Sequence, residues 1–222
     1  MLLSSFAVQA TPFDTIDDHL RALDELSHTS LKTLLVYTNT QGSLMIKQVL
    51  ALAYGTLTYE IFFIPLILIC IRRFDEVHEF YFLLLLTMLI GFTFYYFFPT
   101  MAPASVIDSP YFIEEQRATG LKFRQLHQHL LQTTVEGGLI ALPSFHAIWA
   151  YLCLYLVRGW PIVCWLLLPL NCTIALSCIL LGWHYPIDLL GSAIVIVLAH
   201  VVLSKSRARH STYVADPSLH SG

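Results

Sequence analysis

The pair of side chains best suited to chemistry lies within residues 181–192, which read LGWHYPIDLLGS. Pro186 fits the first turn of a helix, His184 comes just before it, and Asp188 follows one turn later. Side chains four residues apart on a helix can touch, so we expect the Asp188 carboxylate to accept a hydrogen bond from one ring nitrogen of His184. That bond would fix the tautomer and leave the other nitrogen free for nucleophilic attack. The alternative is a buried His–Asp pair that holds two helices together.

A second polar group, LPSFHA at residues 142–147, opens a long apolar run. Pro143 again fits a first helical turn, so the backbone N–H groups near Ser144, Phe145 and His146 would lack partners within the helix. Helix ends of this kind bind anions, phosphate especially, and the Ser144 hydroxyl would add a donor. We therefore expect an anion site with His146 at its mouth. The alternative is a helix cap with an interfacial histidine.

The composition predicts a membrane protein. Of 222 residues, 56% are hydrophobic and 12% are charged, whereas a soluble domain has about 25% charged residues. The net charge of −3 gives no reason to expect nucleic acid as a partner, and no feature points to a particular protein partner. The five cysteines lie in or beside apolar runs, where they act as small apolar side chains. The lipid bilayer is therefore the expected environment.

Five stretches have roughly the length and hydropathy needed to cross a bilayer: 44–71, 80–98, 139–157, 161–181 and 187–203. Residues 13–28 are amphipathic and predict a helix that lies at the membrane interface. We therefore expect an all-α fold in three parts. These are an N-terminal interfacial segment (1–43), a polytopic bundle of five transmembrane helices (44–204) and a flexible cytoplasmic tail (205–222).

Basic residues indicate how the spans are oriented. Successive spans run in opposite directions, so the connections that contain basic residues fall at one end of the bundle. The positive-inside rule assigns that end to the cytoplasm. The basic residues are Arg72, Arg73, Arg158, Lys205, Arg207 and Arg209. His146, His184, Asp188 and the 99–138 loop then share the opposite end, which is extracytoplasmic or lumenal. The N-terminus falls at that end too, which predicts that a preceding first helix is absent.

These residues carry a family resemblance. PSFH (143–146) and SCILLGWHYPID (177–188) resemble the second and third motifs of the type 2 phosphatidic acid phosphatase superfamily, which are usually PSGH and SRxxxxxHxxxD. FFPTMAPAS (97–105), followed by a loop and LPSFHA, is similar to the branch that contains inositol phosphorylceramide synthase. The resemblance extends over all five spans and implies the family's six-helix arrangement, with the first helix missing here.

The resemblance also implies a mechanism. His184 would be the nucleophile that takes the phosphoryl or phosphodiester group as a phosphohistidine, with Asp188 orienting it and His146 protonating the leaving oxygen. Ser144 and the backbone amides around Phe145 would hold the phosphate. The substrate would be a membrane phospholipid or lipid phosphate, and the acceptor would be water in a phosphatase or a lipid hydroxyl in a synthase. No metal or other cofactor is implied.

The chain departs from the family where positive charge is expected. Cys178 stands at the arginine of the third motif, and Phe98-Pro99 stands at the arginine–proline pair of the first. Phosphoryl transfer depends on neutralising charge. We therefore expect other bases of the 99–138 loop to fold over the site as a phosphate clamp, namely Arg117, Lys122 and Arg124.

The sequence leaves three alternatives open. The missing arginines favour a degenerate, non-catalytic member that binds lipid or a partner. Two histidines and Asp188 could ligate zinc, although the spans contain no ligand motif for it. Glu60, inside the first span, could serve a proton relay or a transport path, although a single acid buried against neighbouring helices is commoner.

Overall fold

A computed structural model describes residues 11–26, 30–135, 137–138 and 140–215, with side chains as far as residue 208. The described residues contain eight α-helices and one 3-10 helix, Pro103–Ser105. The α-helices are α1 (Asp17–Leu26), α2 (Leu31–Thr40), α3 (Leu44–Cys70), α4 (Phe74–Phe97), α5 (Glu114–His127), α6 (Phe145–Leu156), α7 (Pro161–Leu180) and α8 (Pro186–Ala215). The predicted all-α class is confirmed.

In the described part of the chain, four helices are long and apolar enough to cross a membrane: α3, α4, α7 and the Pro186–Ala208 part of α8. This arrangement supports a multi-pass membrane protein, but the predicted five long spans are not confirmed. The predicted span 139–157 contains only α6, a helix of 12 residues and so about 18 Å long. Beyond the bundle, α8 continues to Ala215, through the first part of the segment predicted to be a flexible tail.

The short helix α6 occupies the centre of the bundle and packs against α3, α4, α7 and α8. Its first residue, Phe145, packs against Gly91 of α4, where an added Cβ would lie 2.7 Å from Phe145 Cζ. Since Gly91 lies more than a turn before the end of α4, α6 begins well below the outer end of that helix. The chain before it is irregular from Ile140 to Ser144. Pro143 explains this break, since a residue that precedes proline is biased away from the helical conformation. Irregular backbone is tolerated at membrane depth when it is buried in protein or lines a cavity.

Although α6 is short, it extends to the end of the bundle opposite its start. There an ion-pair cluster joins three elements. Glu79 of α4 accepts hydrogen bonds from Arg158, just after α6, at 2.6 Å, and from Tyr155. Arg207 of α8 lies 2.5 Å from the same carboxylate. Two of the bases predicted to share one end of the bundle, Arg158 and Arg207, therefore do so. The membrane side that this end faces stays a prediction.

The N-terminal helices cover the other end of the bundle. Leu20 of α1 and Leu31 and Leu35 of α2 are buried in one cluster with Phe112 and Tyr185. The amphipathic helix predicted over 13–28 is observed as α1, with residues 27–29 outside the described part of the chain. Of its three leucines, Leu20 packs on protein, whereas Leu23 and Leu26 are exposed. Helix α2 was not predicted, since LKTLLVYTNT is too short to stand out by periodicity.

Asp17, at the first residue of α1, connects this cover to the loop after α4. Its carboxylate accepts a hydrogen bond from the Met101 N–H, at 3.0 Å to Oδ1 and 2.9 Å to Oδ2. The residue is only 3% exposed. Burial raises the pKa of Asp17 from 3.8 to about 6, against the opposing effect of the Met101 hydrogen bond.

This pKa predicts how the free energy of unfolding depends on pH. Between about pH 4 and pH 6 the unfolded chain ionises Asp17 while the folded chain keeps it protonated, so stability falls as the pH rises, by about 3 kcal/mol. Asp17→Asn keeps an acceptor for Met101 and removes the charge. We expect the melting temperature of the variant in detergent to exceed that of the wild type at pH 7 and to match it at pH 4.

Asp18→Asn is the matched control, because the Asp18 side chain on the same helix is 85% exposed. We expect its melting curve to follow the wild type across this range. Equal pH dependence in Asp17→Asn and wild type would contradict the assignment of the buried charge to Asp17.

Candidate active site

A cavity of about 460 Å³ lies where the chain enters α6, and both His146 and His184 line it. The structure thus brings together the two histidines that the sequence singled out. The walls come from α3, α4, α5, α6 and the loops around them, and they are largely aromatic: Tyr54, Phe92, Phe123, Phe145, Trp149 and Trp183. A phosphate ester with apolar chains matches such a lining better than a free polar metabolite does.

The hydrogen bonds of His184 identify its tautomer. Nδ1 lies 2.8 Å from the carbonyl oxygen of Ala141 and 3.3 Å from Asp188 Oδ2. A carbonyl oxygen can only accept, so Nδ1 must carry the proton and donate it. In the neutral ring Nε2 is then unprotonated, and its lone pair is available to attack an electrophile. The ring is 6% exposed and so is held in place by its surroundings.

The structure also brings together His184 and Asp188, as the spacing predicted. Asp188 makes a second hydrogen bond as well. Its Oδ2 accepts the Tyr185 N–H at 2.9 Å, which caps the first turn of α8. A carboxylate at this position is also stabilised by the helix dipole. Asp188 Oδ1 is buried with no hydrogen-bond partner among the described residues. The carbonyl of Ala141, which sequence reasoning did not identify, is the nearer acceptor for His184.

His146 lies in the first turn of α6 and is held by an aromatic stack. Its ring lies face to face with the Tyr54 ring at 4.1 Å between centroids, and Trp183 stacks on Tyr54 at 5.6 Å. The Tyr54 hydroxyl is 3.3 Å from His146 Nδ1. Sequence reasoning missed Tyr54. The only available signal was a tyrosine hydroxyl inside an apolar span, where it needs a partner.

Ser144 and Phe145 lie at the start of α6 but differ in what they present to the cavity. The Phe145 ring lines it. Ser144 is fully buried and does not line it: its Oγ accepts the Ala147 N–H at 3.5 Å and lies 3.9 Å from Cys178 Sγ. Cys178 therefore packs beside the helix cap, at the position where the family motif has arginine.

Two of the three predicted clamp bases lie away from the histidines. Arg117 and Arg124 line a separate groove of about 310 Å³ with residues of the 104–112 segment. Arg124 donates to the Ser105 carbonyl at 2.9 Å, and Arg117 donates to the Phe112 carbonyl at 3.1 Å. Neither side chain lines the histidine cavity.

Lys122 is the base nearest to the cavity wall. It is only 1% exposed, and its Nζ donates to the Gly137 carbonyl at 2.8 Å and the Val135 carbonyl at 3.4 Å. Gly137 itself lines the cavity. It must be glycine because its φ is +70° and an added Cβ would lie 1.8 Å from Thr119 Oγ1. This close approach keeps the buried ammonium group next to the loop that forms the wall.

The arrangement places two imidazoles at one cavity, His184 with an unprotonated Nε2 and His146, and brings the Lys122 ammonium against Gly137 of the wall. These are groups that a covalent phosphate transfer can use. Nucleophile, acid–base group and charge stabilisation are the minimum that such a reaction uses. Among the described residues, no group of three or more His, Cys, Asp or Glu side chains could hold a metal ion.

Comparison with known proteins agrees with this site. Neither the curated proteins nor the solved structures gave a match to the chain. The family model described as the PAP2 superfamily matches residues 18–202, from α1 through most of α8, and so includes both histidines and Asp188. Members of this family are typically lipid phosphate phosphatases. The chain therefore belongs to the PAP2 superfamily of membrane phosphatases and phosphotransferases.

Proposed function

We propose that the protein is a membrane phosphotransferase that moves the phosphodiester head group of a phospholipid to a lipid hydroxyl through a phosphohistidine at His184. The observation that carries this proposal is the 2.8 Å hydrogen bond from His184 Nδ1 to the Ala141 carbonyl. It holds the ring in the tautomer whose Nε2 can attack phosphorus. The ring lines a cavity large enough for a head group.

The reaction proceeds in two displacements. Nε2 of His184 attacks the phosphorus, the N–P bond forms, and the P–O bond to the leaving lipid breaks as His146 donates a proton to the departing oxygen. The acceptor hydroxyl then gives its proton to His146 and attacks the phosphorus, and the N–P bond breaks. Asp188 and the Ala141 carbonyl hold the Nδ1 proton throughout. Tyr54 keeps His146 facing the reaction by stacking on it.

The charge of the cavity favours a phosphodiester over a phosphomonoester. No Arg or Lys of the described chain lines the cavity, and Lys122 lies behind its wall. A monoester carries close to two negative charges near pH 7 and a diester carries one, and uncompensated charge in an apolar site is costly. A singly charged diester therefore suits this site. A diester substrate and a lipid acceptor are also the chemistry of the inositol phosphorylceramide synthase-like branch, to which we assign the chain.

One observation favours a second candidate function, a non-catalytic member that binds lipid. Cys178 is buried against Ser144, so the described residues supply no guanidinium at the position where the family usually has one. Such a protein would bind phospholipid in the same cavity without turnover.

The end of the bundle that carries the histidines lies opposite the ion-pair cluster of Glu79, Arg158 and Arg207. The positive-inside rule supports a cytoplasmic position for that cluster. We therefore place the reaction on the extracytoplasmic or lumenal face.

Within this proposal, the first prediction concerns the nucleophile. Purified protein in detergent, offered a panel of phospholipids including phosphoinositides with a lipid alcohol as acceptor, should transfer a head group in a vanadate-sensitive reaction. His184→Ala should lower turnover by at least about 1,000-fold, because it removes the attacking atom. His200→Ala is the matched control: His200 lies within α8, the helix that follows His184, does not line the cavity, bonds to Tyr151 at 2.9 Å and should retain full turnover.

Turnover that survives His184→Ala would exclude the proposed nucleophile. If the wild type binds phospholipid in equilibrium measurements but transfers none of the head groups in the panel, the non-catalytic function is correct.

The second prediction concerns the source of positive charge. We expect Lys122→Met to lower kcat/KM by roughly 100-fold, because a buried cation beside the wall stabilises the transition state, while the long side chain retains most of the packing. The double variant Arg117→Gln, Arg124→Gln should change kcat/KM by less than about threefold, because exposed charges in a separate groove are screened by solvent and salt.

Melting temperatures of both variants, measured in the same detergent, control for misfolding. The reverse pattern, with loss in the double arginine variant and normal turnover in Lys122→Met, would show that the clamp comes from the second groove.

A further inference from the structure

The peptide unit that joins Ala141 to Leu142 is held at both of its polar ends. Its carbonyl oxygen accepts the His184 Nδ1–H at 2.8 Å. Its N–H donates to the Thr100 hydroxyl oxygen at 3.0 Å. All three backbone positions are buried, with Ala141 at 3%, Leu142 at 4% and Thr100 at 1% exposure. One rigid peptide plane therefore connects Thr100 to His184.

Thr100 is itself fixed by the residues on either side of it. The Pro99 carbonyl accepts the Ile16 N–H at 2.9 Å, and the Met101 N–H donates to the Asp17 carboxylate at 2.9 and 3.0 Å. The loop after α4 is thus held by the segment that begins α1. Because its neighbours are fixed, the Thr100 hydroxyl has a defined position and can orient the 141–142 peptide unit.

The Ala141 carbonyl is the nearer of the two acceptors of the His184 Nδ1–H. Asp188 Oδ2 is farther from Nδ1, at 3.3 Å, and it also accepts the Tyr185 N–H at 2.9 Å. In a hydrogen-bonded chain, a peptide whose N–H is engaged has a more strongly polarised carbonyl. The bond to Thr100 therefore both orients the carbonyl of Ala141 and strengthens it as an acceptor.

We propose that Thr100 is a positioning residue for His184, which acts through the 141–142 peptide unit to hold the ring in the Nδ1–H tautomer. This inference rests on the proposed function, in which His184 Nε2 is the nucleophile. Thr100 itself touches neither substrate nor the reacting atoms. Without its hydroxyl, the buried Leu142 N–H loses its partner, the peptide plane is free to turn, and Nδ1 is left with the longer bond to Asp188.

The test compares Thr100→Val, which removes the acceptor at nearly constant volume, with Thr100→Ser, which keeps it. Thr87→Val is the matched control, since Thr87 is equally buried but its hydroxyl bonds only within α4, to Leu84 at 2.9 Å. We expect Thr100→Val to lower kcat roughly 10- to 100-fold with KM changed by less than about twofold. Thr100→Ser and Thr87→Val should match the wild type.

A second readout reports the tautomer without turnover. In full-length protein labelled with nitrogen-15 at histidine, the ring signals of His184 are identified by their loss in His184→Ala. We expect the Nδ1–H form in the wild type and Thr100→Ser, and a mixture with the Nε2–H form in Thr100→Val. If Thr100→Val does not fold, Thr100→Cys, whose thiol is a much weaker acceptor, replaces it in both measurements.

The outcomes separate this inference from the proposed function. Unchanged kcat and an unchanged tautomer in the variant that lacks the hydroxyl would overturn the role of Thr100 while leaving His184 as nucleophile. Turnover that persists in His184→Ala would overturn the proposed function, and the nitrogen-15 spectra would still decide whether Thr100 sets the tautomer.

Discussion

The hydrogen bond between His184 Nδ1 and the Ala141 carbonyl is the contact on which the site depends. It joins the irregular chain that leads into α6 to the turn that leads into α8. Backbone groups at membrane depth must find partners within the protein, and here the partner is the side chain proposed to perform the chemistry. Helix α6 begins deep in the bundle, where Phe145 packs against Gly91. The cavity occupies the space left beside the start of α6.

Among the described residues, no Arg or Lys side chain lines this cavity to neutralise the charge of a phosphate. The walls are mostly apolar, with many aromatic rings. In the described part of the chain, the buried Lys122 ammonium contacts the wall at Gly137, and Arg117 and Arg124 line a separate groove. This scarcity of cations at the cavity supports our proposal of a singly charged phosphodiester substrate and a lipid acceptor. The Lys122 ammonium also donates a hydrogen bond to the Gly137 carbonyl. The same side chain therefore holds this part of the wall in place and carries the positive charge beside it.

The sequence predicted the parts of the site that lie close together along the chain. The spacing of His184 and Asp188 and the position of His146 at a helix start both agree with the structure. It could not predict Tyr54, Ala141 or Thr100 as site residues, because each contacts a residue distant in sequence. Hydropathy did not reveal that only the second part of the predicted span 139–157 is helical, since it measures composition and does not locate a helix start. Helical periodicity could have separated Lys122 from the two arginines once α5 was known, because positions seven apart share a face.

The most direct test of the central claim is to trap the covalent intermediate. Wild-type protein is mixed with its phospholipid substrate in the absence of acceptor, quenched under alkaline conditions that preserve phosphohistidine, and digested for mass spectrometry. We predict that the peptide containing His184 gains the mass of the phosphorylated head group, and that acid removes it. An adduct on a different residue, or turnover with no adduct at any time, would contradict the account.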